Sequence, residues 1–367
     1  MRVRYSYLPQ QFSKTDEIFA GLKKLVQSGD FTLGAAVAEF EQRFAKLIGT
    51  KFAVGVGSGT DALKLSLEAT GVKRDDEVIT AANTFIATVG AINEIGAQPV
   101  LIDCLDNFCF DPNKIEASIT EKTTAIMPVH LTGEMPDMDL VMTIADKHNL
   151  IVVEDACQSI LGAWNGKNAG TWGAAAGFSL HPLKNLNVWG DAGIAVTNDE
   201  KVADKLKLIR NHGLVNRDEI EVLGHNSRLD SLQAVVGNWL IDSAPNITDQ
   251  RQENALRYDQ AFSGIKGLKL PPRSNKSNHV FHLYMVFAEK RDELYKFCHD
   301  KGVEAKIHYP IPLYQQNGLK HLGYSNGSFP ITDRHAKNII SFPADQHLDQ
   351  QQLNYVIETV QEFYKKQ

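Results

Sequence analysis

Of the 367 residues, only four are cysteine: Cys104, Cys109, Cys157 and Cys298. None forms a CxxC pair or a metal-type spacing, so a disulfide scaffold and a zinc module are both unsupported. Cys104 and Cys109 are close enough in sequence to pair, but free buried thiols are the expectation in a large enzyme of cytosolic type. Positive charge is also short. The net charge is −6, which leaves no basic footprint for nucleic acid and no polybasic patch for a membrane surface. No apolar run approaches the ~20 residues of a membrane span. Met1 to Phe12 lacks the apolar core of a signal peptide, so a cytoplasmic protein is expected. Internal repeats and low-complexity segments are absent. Hydrophobic content of 43% and charged content of 22% are ordinary for a globular chain, and the length suffices for two domains sharing a cleft.

What is present alternates. From residue 52 to 198, strands are expected at Phe52–Val56, Glu77–Thr80, Pro99–Ile102, Thr124–Val129, Leu150–Glu154, Ala174–Leu180 and Gly193–Thr197. Helices are expected between them at Thr60–Ala69, Thr84–Ile95, Pro112–Ile119 and Met138–His148. Such alternation predicts an α/β domain whose sheet is mostly parallel with helices on both faces. Two amphipathic helices precede it, Thr15–Ser28 and about Val37–Ile48, and two follow, Leu229–Asp242 and about Thr248–Phe262. Lys266–Asn278 is rich in Pro, Lys, Ser and Asn and reads as a linker or surface loop. Beyond it the pattern changes to a strand at His279–Phe287, a helix at Arg291–Lys301 and a strand at Glu304–Ile307. The division is therefore a large α/β domain over 1–245 and a smaller α+β domain over 246–367.

Three stretches carry chemistry. Gly177 to Leu186 runs off a buried strand into a polar exit holding His181, Pro182, Lys184 and Asn185. Pro182 cannot continue a central ladder, so Lys184 falls just past a strand end, where α/β proteins gather reactive groups. Val152–Gln158 ends another apolar strand in the acid Asp155. Ser58-Gly59-Thr60-Asp61 follows a third strand and opens a helix, whose free N–H groups and dipole suit an anion; Ser58 and Asp61 also read as a capping box. A lysine, a carboxylate and an anion-binding helix start are what pyridoxal 5'-phosphate (PLP) requires. The lysine amine condenses with the aldehyde. The acid keeps the ring nitrogen protonated, although a strand-end Asp can equally cap a helix. His130, His181, His212 and His308 fit no compact metal motif, and no metal site is expected.

These stretches belong to a longer series: Ser58–Leu63, Asn83–Thr88, Pro128–Leu131, Glu154–Gln158, Phe178–Leu186, Asp191–Asn198, Arg210–Gly213, Asn226–Asp230 and Ile307–Pro310. In that order, across nearly the whole chain, they resemble the DegT/DnrJ/EryC1/StrS family of sugar aminotransferases, of aspartate aminotransferase fold type I. The resemblance implies a PLP/PMP enzyme moving an amino group from an amino acid, L-glutamate by expectation, to a nucleotide-linked keto-sugar. Lys184 is then the Schiff-base lysine, with Asp155 on the ring nitrogen and Gln158 on the ring's hydroxyl side. Gly59, Thr60 and Ser179 face the phosphate, and Phe85 stacks on the ring, a residue otherwise read as core. Asn226 reaches the phosphate from the neighbouring subunit of a homodimer with shared sites. His308 and Tyr309 lie near the sugar. The chain departs from the family pattern at Ala192, Thr132 and Trp189, positions that would reshape the pocket rather than the cofactor site. Two rival readings stand beside this one. A PLP/PMP sugar dehydratase typically has histidine in place of the lysine, and a non-catalytic regulatory protein could share the fold.

Overall fold

A computed structural model describes residues 1–366. Its main sheet has seven strands: β1 Phe52–Val56, β2 Glu77–Ala81, β3 Gln98–Ile102, β4 Thr123–Ile126, β5 Ile151–Asp155, β6 Ala175–Ser179 and β7 Gly193–Thr197. They are ordered β1-β7-β6-β5-β4-β2-β3. Only β7 runs against its neighbours, β1 and β6; the remaining pairs are parallel. The carboxyl ends of β1, β2, β5 and β6 therefore share one edge, the side on which open α/β sheets bind ligands.

Strand identity follows burial. Every residue of β6 and β7 is buried, as expected for central strands covered on both faces, so they read as continuous apolar and small-residue runs. The helix Gly59–Thr70 lies across them. It can approach so closely because Gly193 has no side chain: a Cβ there would sit 2.1 Å from the Ser58 carbonyl oxygen.

The C-terminal part contains a three-stranded sheet, Leu268–Lys269, Tyr284–Ala288 and Ile339–Phe342. Its central strand alternates. Tyr284, Val286 and Ala288 join a core with Tyr258, Phe262, Leu294 and Phe363, while Met285 and Phe287 belong to the core of the main sheet. The period of two thus buries one strand on both faces. Val3 joins the C-terminal core. Its N–H donates to the Gly302 carbonyl at 2.9 Å and its carbonyl accepts from the Glu304 N–H at 2.9 Å, so the first residues of the chain attach to the C-terminal part.

Four expected segments differ. Lys266–Asn278, expected as a linker or surface loop, holds two short strands, Leu268–Lys269 and Ser277–Asn278, because each finds a partner strand to pair with. Pro112–Ile119 is not an α-helix but two 3₁₀ turns, Pro112–Lys114 and Glu116–Ser118. Asp111 caps the first through the Asn113 N–H, and a single turn of each leaves too few bonds to propagate. The expected strand at His279–Phe287 begins only at Tyr284, because the Val280 and Leu283 N–H groups turn to the Gly133 and Thr132 carbonyls instead of a ladder. Glu304–Ile307 makes only an isolated bridge, Lys306 to Ser341. Among the described residues, no helix is long and apolar enough to cross a membrane.

Candidate active site

The helix start at Gly59, the carboxyl group of Asp155 and the amine of Lys184 arrive at the carboxyl edge on three separate elements. Ser58 caps the helix Gly59–Thr70: its Oγ accepts from the Asp61 N–H at 3.1 Å. The N–H groups of Gly59 and Thr60 precede the intrahelical ladder and are left for an anion. Gly59 faces Ser179 so closely that a Cβ on it would lie 2.6 Å from the Ser179 Cβ. A helix start and a hydroxyl from β6 are thereby brought together at one spot.

Lys184 lies in the loop that follows β6. The loop is stitched rather than slack. The Asn187 amide donates to the carbonyls of Pro182 at 2.6 Å and Lys184 at 2.9 Å, and the Asn185 amide donates to the Val280 carbonyl at 3.0 Å. Lys184 is partly buried. Burial pushes its pKa below the ordinary lysine value, against the opposing pull of Cys157 and Asp155. An amine so placed is available in its neutral, nucleophilic form at lower pH than a surface lysine.

Asp155 ends β5 and is 5% exposed. No helix follows it, so the helix-cap alternative falls away. Its Oδ2 accepts from the Thr88 hydroxyl at 2.6 Å and its Oδ1 from the Cys157 N–H at 3.2 Å. The Thr88 hydroxyl also lies 2.6 Å from that of Thr84. A carboxylate only accepts, so the Thr88 proton points at Asp155 and Thr84 donates to Thr88. Sequence reasoning missed this pair. The signal available was their i, i+4 spacing at the start of the helix Ile86–Glu94, one turn past Phe85.

The neighbouring acid has a different task. Glu154 is fully buried, 2.9 Å from His130 Nε2, and accepts from the N–H groups of Gly170, Trp172 and Gly173 at 2.9, 2.8 and 3.1 Å. Burial works against its ionisation, but His130 and those N–H groups outweigh it and hold the carboxyl below its ordinary range. Glu154 and His130 fasten the loop before β6.

Phe85 is 50% exposed and its ring lies 5.8 Å from that of Tyr309, so it is an open face of the site and not core. Gln158 accepts from the Thr132 N–H at 2.7 Å, and Tyr309 lies near enough for the Gln158 side chain to act on its hydroxyl. Burial nevertheless pushes that hydroxyl up to about 12. His308 Nδ1 is 2.8 Å from Ser341 Oγ. Burial, with the charges of Lys306 and Lys184, brings its pKa down to about 4, so it is a neutral imidazole at pH 7. Asn226 is exposed and pairs through its backbone with Asn211. Its neighbour Ser227 accepts from the Gly57 N–H at 3.1 Å, which ties this segment to the turn before the helix. No group of three or more His, Cys, Asp or Glu suited to a metal occurs among the described residues.

A helix start for a phosphate, a buried anion for a ring nitrogen, an open aromatic face and an amine of lowered pKa fit PLP in shape and charge. The sequence profile of the DegT/DnrJ/EryC1/StrS aminotransferase family matches residues 13–361. The chain is 40% identical to a pleiotropic regulatory protein of Geobacillus stearothermophilus, across 100% of this chain and 99% of that one. It is 38% identical to a dTDP-3-amino-3,4,6-trideoxy-alpha-D-glucose transaminase of Micromonospora megalomicea, across 98% and 97%. The structure superposes on that of DesV from S. venezuelae with a TM-score of 0.97, at 35% identity and 99% coverage of both chains. Solved structural relatives carry the cofactor in its pyridoxal and pyridoxamine forms. The chain belongs to the DegT/DnrJ/EryC1/StrS aminotransferase family.

Proposed function

We propose that the protein is a PLP-dependent aminotransferase that takes an amino group from L-glutamate and places it on a keto-sugar carried by a nucleotide. The observation that carries the reading is the meeting of Lys184, Asp155 and the Gly59–Thr60 helix start at one sheet edge, each held by a different strand end. When bound, PLP supplies an aldehyde that holds the lysine amine and a ring that draws electrons from the bond being broken. The chain does the rest. Gly59, Thr60 and Ser179 bind the phosphate through N–H and hydroxyl donors. Asp155, held in place by Thr88 and the Cys157 N–H, accepts from the protonated ring nitrogen. Phe85 covers one face of the ring, and Gln158 stands beside its hydroxyl. Lys184, displaced from the aldehyde, receives a proton from the carbon of the donor and returns one to the carbon of the acceptor, a role its lowered pKa favours.

A homodimer with shared sites is part of the same reading. Asn226 is exposed in the single chain. Val215, Ile220 and Leu223, in the segment leading to it, are 56%, 64% and 96% exposed, an apolar surface of the kind a subunit partner covers. Four free thiols, three of them buried, accord with a reducing compartment such as the cytoplasm.

Borohydride reduction of the PLP-loaded protein tests the reading. The label is expected on the peptide holding Lys184, and glutamate is expected to bleach the aldehyde absorbance with stoichiometric release of 2-oxoglutarate. Labelling without any 2-oxoglutarate points to the lyase reading, and a protein that never takes up PLP points to the regulatory one.

A further inference from the structure

His308 lies between two cavities. The wider, about 490 Å³, runs from Phe85 and Tyr309 to Leu319 and Ile339 and is mostly apolar. The narrower, about 70 Å³, is lined by His308, Tyr5, Leu183, Arg251, His282 and Lys306, among others. It has room for a carboxylate group or a few waters, and for no sugar ring. It adjoins the candidate site, since Leu183 is the chain neighbour of Lys184. Burial and then the Lys184 charge hold His282 well below the ordinary histidine range. Charge in the narrow cavity is out of balance. Arg251 faces Asp345 at 3.7 Å and gives its other N–H groups to Gln346 and the Phe281 carbonyl, at 2.9 and 3.1 Å. Lys306 has no such partner. Its backbone is bridged to Ser341, and in extended chain its side chain shares a face with that of His308, two residues on. Its ammonium lies 4.6 Å from the centre of the Tyr5 ring and, among the described residues, makes no hydrogen bond and no ion pair. Glu304, the acid two residues before it, is engaged by Arg2 and by the Tyr5 N–H. His282 Nδ1 is likewise buried without a partner.

The geometry points to Lys306 as the residue that selects an acidic amino donor: its ammonium, with His282 beside it, receives the donor's side-chain carboxylate while the donor's amino group replaces the amine of Lys184. The inference rests on the aminotransferase reading and adds to it the residue that recognises the donor. The two lysines stand apart. His308 feels the charges of both, whereas Lys184 feels Cys157 and Asp155 and not Lys306. The α-carboxylate is bonded to the carbon that carries the amino group, so it stays at the reacting centre. The side-chain carboxylate of a glutamate-sized donor extends beyond it, towards a cation on the far side of His308. A half-buried ammonium without a hydrogen-bond partner gains a charge-assisted bond from that carboxylate and a weaker one from a neutral amide. Lys306 meets the donor away from the reacting atoms, so its effect falls on binding.

The experiment follows bleaching of the PLP-loaded protein by L-glutamate and by L-glutamine in the native chain and in Lys306→Met, Lys306→Gln and Lys306→Arg, with thermal melting as the check on folding. The native chain is expected to favour glutamate at least about tenfold in rate per unit of donor. Lys306→Met and Lys306→Gln are expected to cut that preference at least about fivefold, through a higher half-saturating glutamate concentration and not a lower limiting rate, and Lys306→Arg to keep most of it. An unchanged preference, or an equal loss with both donors, overturns the proposal. So does a preference for UDP-glucuronate over UDP-glucose that depends on Lys306 while the glutamate preference does not, since it assigns the cation to the acceptor. Calorimetry with glutarate and butyrate, neither of which can transaminate, keeps the two readings apart. A native chain that takes up PLP and is not bleached by glutamate strikes the aminotransferase reading. A preference for glutarate that Lys306→Met removes still upholds the cavity as a carboxylate site, and a native chain without that preference overturns it.

Discussion

The floor of the site and its wall are built by opposite rules. The floor is the carboxyl edge of the main sheet. There the polar side chains are held by hydrogen bonds from the backbone and from one another, as Asp155 is by Thr88 and the Cys157 N–H and the Lys184 loop is by Asn187. The wall comes from irregular chain around residues 308–319, one face of the helix Pro330–Asn338 and the inward face of Tyr284–Ala288. Several of its polar groups bond away from it, Thr332 to Asp103 and His308 to Ser341, leaving a mostly apolar surface. A floor so constrained tolerates little change. A wall held by packing can be repapered by a few apolar substitutions, which is a physical route by which one reaction serves many sugars.

The contrast makes predictions that descend in size. Lys184→Arg retains a cation but loses the condensing amine. Turnover should fall about a thousandfold or more, and borohydride labelling at that position should vanish; undiminished turnover would break the assignment of the floor. Glu154→Ala removes the anion that fastens the loop before β6 and leaves His130 and three N–H groups bare, at a cost of about 3–5 kcal/mol. The sign in pH follows from the direction of its shift. The folded carboxyl lies below its ordinary range, so its contribution is full above the unfolded value of about 4.3 and is lost as pH falls through the folded one. Urea midpoints of the native chain should drop in that acid window, and those of the variant should drop less. Thr88→Val keeps shape and removes one charge-assisted bond. PLP affinity should weaken about 10- to 100-fold, apo-protein melting should fall as well because the buried Asp155 Oδ2 and Thr84 hydroxyl lose their partner, and Thr88→Ser should restore most of both. Tyr309→Phe alters the wall side only, with a change of about 2- to 10-fold in kcat/KM for the sugar and none in the glutamate half-reaction. An equal loss in both halves would show that wall and floor are not separate.

The same division explains what the sequence discloses. Floor residues sit in short contiguous motifs at strand ends, where an apolar run stops and a charged or small residue follows. The strand-end placement of Lys184, Asp155 and Gly59 was legible for that reason, as were Phe52–Val56, Met138–His148 and Gly193–Thr197, which match their expected bounds. Thr88 was not, because its meaning depends on a contact 67 positions away. The wall is assembled from residues between 83 and 339 with no local pattern in common. Phe85 misleads alone, since nothing in an Ala-rich helix start says that its ring faces outward. Pro112–Ile119 carries a proline start that fits an α-helix equally well; only the tertiary setting cuts it to two turns. The helix Gln350–Lys365, with its Asp349–Gln352 capping box, has a plain local signature that the reading of the C-terminal part did not use.

Val3 has a consequence for how the protein is made. Its two backbone partners, Gly302 and Glu304, leave the ribosome some 300 residues later, which at 5–20 residues per second is a wait of about 15–60 s. During that interval the leading segment has no place to go, and a nascent chain stalled before residue 302 should still surrender its first residues to a protease.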